Sequence, residues 1–201
     1  MILSENYLRE QAQRRNITAP DAKHGEQIML ENAEMATKRA SDSGKVGKKY
    51  DIFLSHSSLD KTLVLTLVGL FNEADYSVYV DWIEDPQLDR SKVNKNTAQV
   101  LRNRMLSSKG LAYVATSNAS NSKWCQWELG YFDGNKNSRC CILPIMDSEV
   151  FRGQEYLGLY PYIEYETSAK TRKYNFWIFE QETNNYVILR DWLKGRNPYQ
   201  H

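Results

Sequence analysis

Trp124 and Glu128 stand four residues apart within residues 124–132 (WCQWELGYF), a stretch that reads as a helix. Residues i and i+4 share one helical face, so the indole and the carboxylate lie side by side. A carboxylate partly shielded from water by an indole is suited to work as an acid, a base or an electrostatic stabiliser. An exposed helical glutamate beside a core tryptophan satisfies the same spacing, and both readings stand at this level.

Other polar residues fall where strands should end. Ser55, His56, Ser57 and Ser58 follow one apolar run. Asp81, Trp82, Glu84 and Asp85 follow a second, and Thr116, Ser117 and Asn118 a third. Ligands of an open parallel α/β sheet sit beyond the carboxyl ends of its strands. Carboxylates, hydroxyls, one histidine and large indoles gathered on that rim suit a polar, ring-containing ligand.

Several chemistries lack their parts. No G-x-S-x-G elbow supports Ser55 or Ser57 as a nucleophile with His56 as its base. A phosphoacceptor receiver needs an acidic pair ending its first strand and an Asp ending its third. Here Asp51 begins the first strand, His56 follows it, and Ala115-Thr116-Ser117 ends the third. The only glycine-rich stretch, Gly44-Lys45-Val46-Gly47, precedes the first strand, where it cannot cradle a phosphate. Cys125, Cys140 and Cys141 have no metal-ligand spacing, so they read as small hydrophobes in a reducing compartment and no metal is expected.

The elements that position these residues alternate. Tyr50–Ser55 (YDIFLS), residues 77–80 (SVYV), 111–115 (LAYVA) and 140–145 (CCILPI) read as strands, with 162–165 (YIEY) a fifth. Between them, Leu63, Leu67, Leu70 and Phe71 recur at helical spacing behind Asp60, a candidate N-cap. Residues 81–92 read as a polar loop containing Pro86, and a second helix spans 93–106. The third helix, carrying Trp124 and Glu128, should stop at Asp133-Gly134. Strand–helix alternation with short connections predicts an α/β fold, a doubly wound parallel sheet covered on both faces. Residues 176–179 and 186–193 predict a strand or hairpin and a final helix. The expected organisation is a helical N-terminal extension and linker (1–49), the α/β domain (50–165) and a C-terminal strand/helix extension packed on it (166–201).

Of 201 residues, 41% are apolar, 12% aromatic and 25% charged, which is globular composition. A net charge of +1 provides no long-range field for nucleic acid or an anionic membrane, so neither is an expected partner. No apolar run reaches the length of about 18 residues needed to cross a bilayer, and residues 1–15 lack the apolar core of a signal peptide. A cytoplasmic location is expected.

Taken in order, Tyr50–Ser55 with His56, then Asp60-Lys61, then Val80-Asp81-Trp82, and finally residues 122–129 (SKWCQWEL) resemble a TIR domain of the bacterial branch, of the kind found in Thoeris-type antiphage systems. The resemblance covers residues 50–145. It implies a flavodoxin-like sheet of five strands in the order 2-1-3-4-5, with a long mobile loop after the second. It also implies cleavage of the nicotinamide–ribose bond of NAD+, with hydrolysis or cyclisation of the ADP-ribose product into a signal for a downstream effector. NAD+ is then a substrate, and no cofactor is needed. Glu128 matches the family's catalytic glutamate and Trp124 its preceding tryptophan. Phe53 and Asp81 match substrate-side positions, and Ser55, His56 and Trp82 complete the expected binding set. TIR–TIR self-association would order the loop after Val80. Two alternatives remain: a non-enzymatic TIR–TIR scaffold or host-interfering module, which would release no nicotinamide, and a deoxyribosyltransferase, which would turn over deoxynucleosides. The segment 81–86 (DWIEDP) is more acidic than a pyrophosphate neighbour should be, and Arg90 or Lys92 is the expected phosphate contact.

Overall fold

Every residue of Tyr50–Ser55 is buried. Burial on both faces is what an interior strand beneath two helical layers requires. The computed structural model describes residues 1–17, 23–42, 47–88, 94–135, 139–145, 155–169 and 171–201. The first half contains α1 (Glu5–Arg14), α2 (Lys23–Asp42), β1 (Tyr50–Ser55), a 3-10 turn (Ser58–Asp60), α3 (Lys61–Glu73), β2 (Val78–Tyr79), α4 (Asp81–Glu84) and α5 (Lys95–Leu106). There follow β3 (Ser108–Ala115), α6 (Ser117–Ser120), α7 (Lys123–Asn135), β4 (Cys140–Pro144), a second 3-10 turn (Glu155–Leu159), β5 (Tyr162–Thr167), β6 (Tyr174–Phe179), β7 (Tyr186–Ile188) and α8 (Leu189–Trp192).

The strands form one sheet in the order β2-β1-β3-β4-β5-β6-β7. The first five are parallel and reproduce the 2-1-3-4-5 order. The sheet then continues through β6 and β7, both antiparallel, so it has seven strands where five were expected. Antiparallel neighbours need only tight turns, which lets the C-terminal stretch extend the sheet edge. Residues alternate between the two faces, as the pleat demands. Ile52, Leu54, Ala112 and Val114 join the core beneath α1, α3 and α8. Phe53, Leu111, Tyr113 and Ala115 join the core with α5 and α7.

Local chemistry moved several boundaries. Asn94 caps α5, its Oδ1 accepting the Thr97 N–H at 2.8 Å, so the helix begins at Lys95; Val93 lies outside the described residues. The polar loop expected from residue 81 opens as the helical turn α4. The expected stop at Asp133-Gly134 does not occur. Gly134 keeps a negative φ, so no left-handed cap forms and α7 runs on to Asn135. Asp60 occupies the N-cap position of α3 without making a side-chain cap bond.

Two contacts tie peripheral segments to the sheet. Buried Asn32 of α2 pairs like a strand with edge residue Val78, donating to its carbonyl and accepting its N–H at 2.6 Å each. This covers the β2 edge. At Gly110 in β3, an added Cβ would lie 2.7 Å from the tip of the Leu193 side chain and 3.1 Å from the Trp192 ring, so a larger residue there would make the end of α8 shift.

Asp51, near the start of β1, lies at the opposite end of the strand from Ser55. It accepts hydrogen bonds from Lys109 Nζ (2.7 Å), Arg39 Nε (3.1 Å) and the Ser77 N–H (3.0 Å). Burial pushes its carboxyl up, but the bonds from Lys109 and Ser77 and the charges of Lys109 and Arg39 outweigh it, and the net direction is down. A carboxyl lower in the folded than in the unfolded state stabilises above its unfolded value, near 3.8, and loses that contribution as pH falls through the folded value. Asp51→Asn is therefore expected to destabilise by about 3 kcal/mol at pH 7 and to narrow its deficit below about pH 4. Urea titrations of both proteins at pH 7 and pH 3 test this; a deficit unchanged between the two would contradict it.

Candidate active site

The carboxyl end of β1 delivers Ser55 and His56 to the rim, both almost wholly buried. Across from them, α7 packs on β1, β3 and β4, and the Cys125 N–H in its first turn donates to Ser122 Oγ at 3.3 Å. Glu128, one turn after Trp124, is 0% exposed and accepts the Ser55 hydroxyl at 2.7 Å on Oε2. Burying a carboxylate without such partners is costly, so Ser55 fixes one Glu128 oxygen in place. Trp124 is 9% exposed and meets Trp127 edge to face at 5.5 Å.

His56 carries the cluster on to the segment after β2. Its Nε2 lies 3.0 Å from Trp82 Nε1, and its Nδ1 lies 2.7 Å from the Leu54 carbonyl. An indole nitrogen can only donate, so Nε2 accepts and the proton sits on Nδ1, donated to Leu54. Asp81 Oδ1 stands 3.4 Å from the same Nε2. Protonating Nε2 would break the Trp82 bond and create a pair with Asp81, so this hydrogen-bond network defines a neutral imidazole. Lys61 lies over the Trp82 ring at 5.4 Å.

Ser55 with Glu128, and His56 with Asp81 and Trp82, thus form two groups joined through the Ser55–His56 backbone. Phe53 stands differently: it is 2% exposed and stacked on Tyr79 at 5.0 Å, within the core. Thr116 and Asn118 are drawn elsewhere, donating to the Asp60 carboxylate at 2.6 and 2.5 Å. They and Ser117 line a separate cleft of about 430 Å³ beside α1. Asp60 therefore ties the end of β1 to the end of β3 rather than capping α3.

Two of the acids after β2, Glu84 and Asp85, are matched by cations. Glu84 pairs with Lys48 at 2.6 Å. Asp85, buried, accepts Arg104 Nε and Nη2 at 2.8 Å each and the Tyr79 hydroxyl at 2.9 Å. At these two positions the acidity that looked adverse for a dinucleotide is neutralised within the fold. Sequence reasoning missed Arg104 because the pairing joins α5 to the end of α4 across the fold. Arg90 and Lys92, the expected phosphate contacts, lie outside the described residues.

A second cleft, about 480 Å³, opens between α5 and α7 and includes Trp124, Trp127 and Arg102. The last two were also missed, although Trp124, Trp127 and Tyr131 at i, i+3 and i+7 form a readable aromatic stripe. Among the described residues, no group of three His, Cys, Asp or Glu could hold a metal ion, and no helix is long and apolar enough to cross a membrane. The cysteines are free and buried. Burial pushes the Cys140 and Cys141 thiols far up, leaving them protonated at neutral pH.

A sheet of this strand order, with a buried carboxylate and indoles at its carboxyl rim, defines a flavodoxin-like α/β domain. The TIR domain family profile matches residues 52–176, and the chain belongs to that family. It is 49% identical over 150 residues to a Bacillus cereus (strain MSX-D12) protein named "Probable 3' cyclic ADP-D-ribose synthase ThsB'", covering 73% of this chain and 77% of that one. It is 36% identical over 96 residues to "Putative cyclic ADP-D-ribose synthase TIR2" of Cytobacillus dafuensis, covering 47% of this chain and 25% of that one.

Proposed function

We propose that this chain cleaves the nicotinamide–ribose bond of NAD+ and converts the ADP-ribose part into a cyclic signal for antiphage defence. The observation that carries the reading is Glu128, sealed from water, fixed by Ser55 at 2.7 Å and one helical turn from Trp124. The name of the Bacillus cereus relative, a cyclic ADP-D-ribose synthase, supports it.

In the proposed reaction the bond from C1′ to the pyridinium nitrogen breaks. Its electron pair goes to that nitrogen, so nicotinamide leaves neutral and the positive charge passes to an oxocarbenium-like ribose. The Glu128 carboxylate stabilises this charge as it develops. Trp124 offers an aromatic surface beside it. Capture by water, with loss of a proton, gives ADP-ribose; capture by a hydroxyl of the substrate's own second ribose, again with loss of a proton, closes a ring. The reaction calls for no metal and no cofactor.

Complete burial also means that substrate reaches Glu128 only after an opening of the site. Self-association of two copies is the proposed trigger, and an effector that senses the nucleotide is the proposed recipient. Concentrated protein incubated with NAD+ is expected to release nicotinamide and to accumulate a product one water lighter than ADP-ribose. No nicotinamide at any concentration, together with a stable TIR-containing complex, would overturn this reading and favour the scaffold.

A further inference from the structure

The cleft between α5 and α7 combines two features that nothing in the catalytic cluster uses. Lys95, Arg102 and Lys123 line it, together with Trp124 and Trp127, and among the described residues no acidic one does. None of these three cations forms an ion pair among the described residues. This sets them apart from Lys48, Arg104, Lys109 and Arg39, each matched to a carboxylate.

Arg102 is also oriented. Its guanidinium lies 5.4 Å from the Trp127 ring and 5.8 Å from Tyr131, and those two rings stack at 5.6 Å. Contact with aromatic faces engages the guanidinium through its π surface and leaves its N–H donors in the plane for an anion. Like-charged side chains around one cleft repel each other, an arrangement that a bound polyanion relieves. The volume of about 480 Å³ falls within the range of small-ligand sites. Three cations with no carboxylate partner among the described residues, set against two indoles, suit one chemical class, a nucleoside diphosphate, with its base on the rings and its phosphates on the cations.

We infer that this cleft is the subsite for the adenosine diphosphate end of the dinucleotide, with Arg102 as its principal phosphate contact. The inference rests on the reading of Glu128 as the NAD+-cleaving carboxylate. Trp124 links the two places, since it lines the cleft and stands one turn before Glu128. The ribosyl end reaches the carboxylate past that indole while the diphosphate stays outside, in a cleft open to solvent.

The test is the triple variant Lys95→Gln/Arg102→Gln/Lys123→Gln, with Trp127→Leu made separately. Melting temperatures close to wild type establish that each variant is folded. Calorimetric titration with ADP-ribose is expected to show at least tenfold weaker binding by the triple variant, with a correspondingly raised KM for NAD+ and kcat within about twofold. Wild-type affinity for ADP-ribose should fall as salt rises and the triple variant's should not. Nicotinamide riboside, which lacks the diphosphate, should bind both alike. Unchanged ADP-ribose affinity in the triple variant, or no ADP-ribose binding by wild type, overturns the subsite. Wild-type protein that binds ADP-ribose through these cations yet releases no nicotinamide overturns the reaction instead and leaves the subsite standing.

Discussion

Replacing Glu128 with glutamine is expected to slow nicotinamide release by about a thousandfold while leaving the melting temperature equal to or above that of wild type. Glutamine has the shape of glutamate and retains an oxygen to accept the Ser55 hydroxyl, which now lies 2.7 Å from Oε2. Only the capacity to carry negative charge is lost. A glutamate with no part in the chemistry would differ in rate alone. With the side chain 0% exposed, neutralising it removes the desolvation cost of a buried charge, so stability is kept or improved while activity is unaffected. Loss of rate without loss of stability separates the two roles.

Two companions sharpen that result. Ser55→Ala removes the donor that fixes one oxygen and should lower kcat by less than Glu128→Gln, since the charge remains. Glu128→Asp keeps the charge but withdraws it by one methylene, so its activity reports how closely the carboxylate must approach the ribose. Measured by nicotinamide release on concentrated protein, Glu128→Gln turning over at the wild-type rate would remove this residue from the mechanism.

Helix spacing brings Trp124 and Glu128 to one face, the strand-end rule sets them near a rim, and the family likeness supplies a reaction. That much is local pattern, and local pattern is legible in one sequence. The partners of these residues are not, because they come from distant segments. Ser55 and Glu128 are 73 residues apart, and Asp60 and Asn118 are 58 apart. The misplaced role of Asp60 shows the difference. An aspartate before a helix is ordinarily a cap, but here the end of β3 brings two side-chain donors closer than the helix's own N–H groups. Phe53 was legible as a strand residue, while its burial against Tyr79 depends on a register between β1 and β2 that only the folded chain specifies. The antiparallel strands beyond β5 were readable as strands, but not as members of the same sheet, since pairing partners are chosen by packing.

The buried clamp around Asp85 carries the second large expectation. Asp85→Ala should destabilise the protein by about 3 to 5 kcal/mol, because it leaves the half-buried Arg104 guanidinium and the buried Tyr79 hydroxyl without their acceptor. The hydrogen bonds to Asp85 raise the Arg104 pKa further above its ordinary value, so this side chain stays charged at any working pH. Burial first, then the nearby Asp85 carboxylate, keeps the Tyr79 phenol protonated and able only to donate to that acid. Arg104→Ala should cost less, since Asp85 keeps the Tyr79 bond and Arg104 is partly exposed. The double variant should fall well short of the sum, because each change removes the same interaction. Asp85 lies three residues beyond Trp82, whose indole donates to His56, so the clamp also fixes the segment that closes one side of the cluster. Asp85→Asn, which spares the Tyr79 bond and loses the charge pair, should therefore lower kcat for NAD+ well below its melting temperature. Denaturant titrations of the four proteins give the coupling energy. A value within about 0.5 kcal/mol of zero would mean that Asp85 and Arg104 stabilise the fold independently and that something else holds the segment after β2 in place.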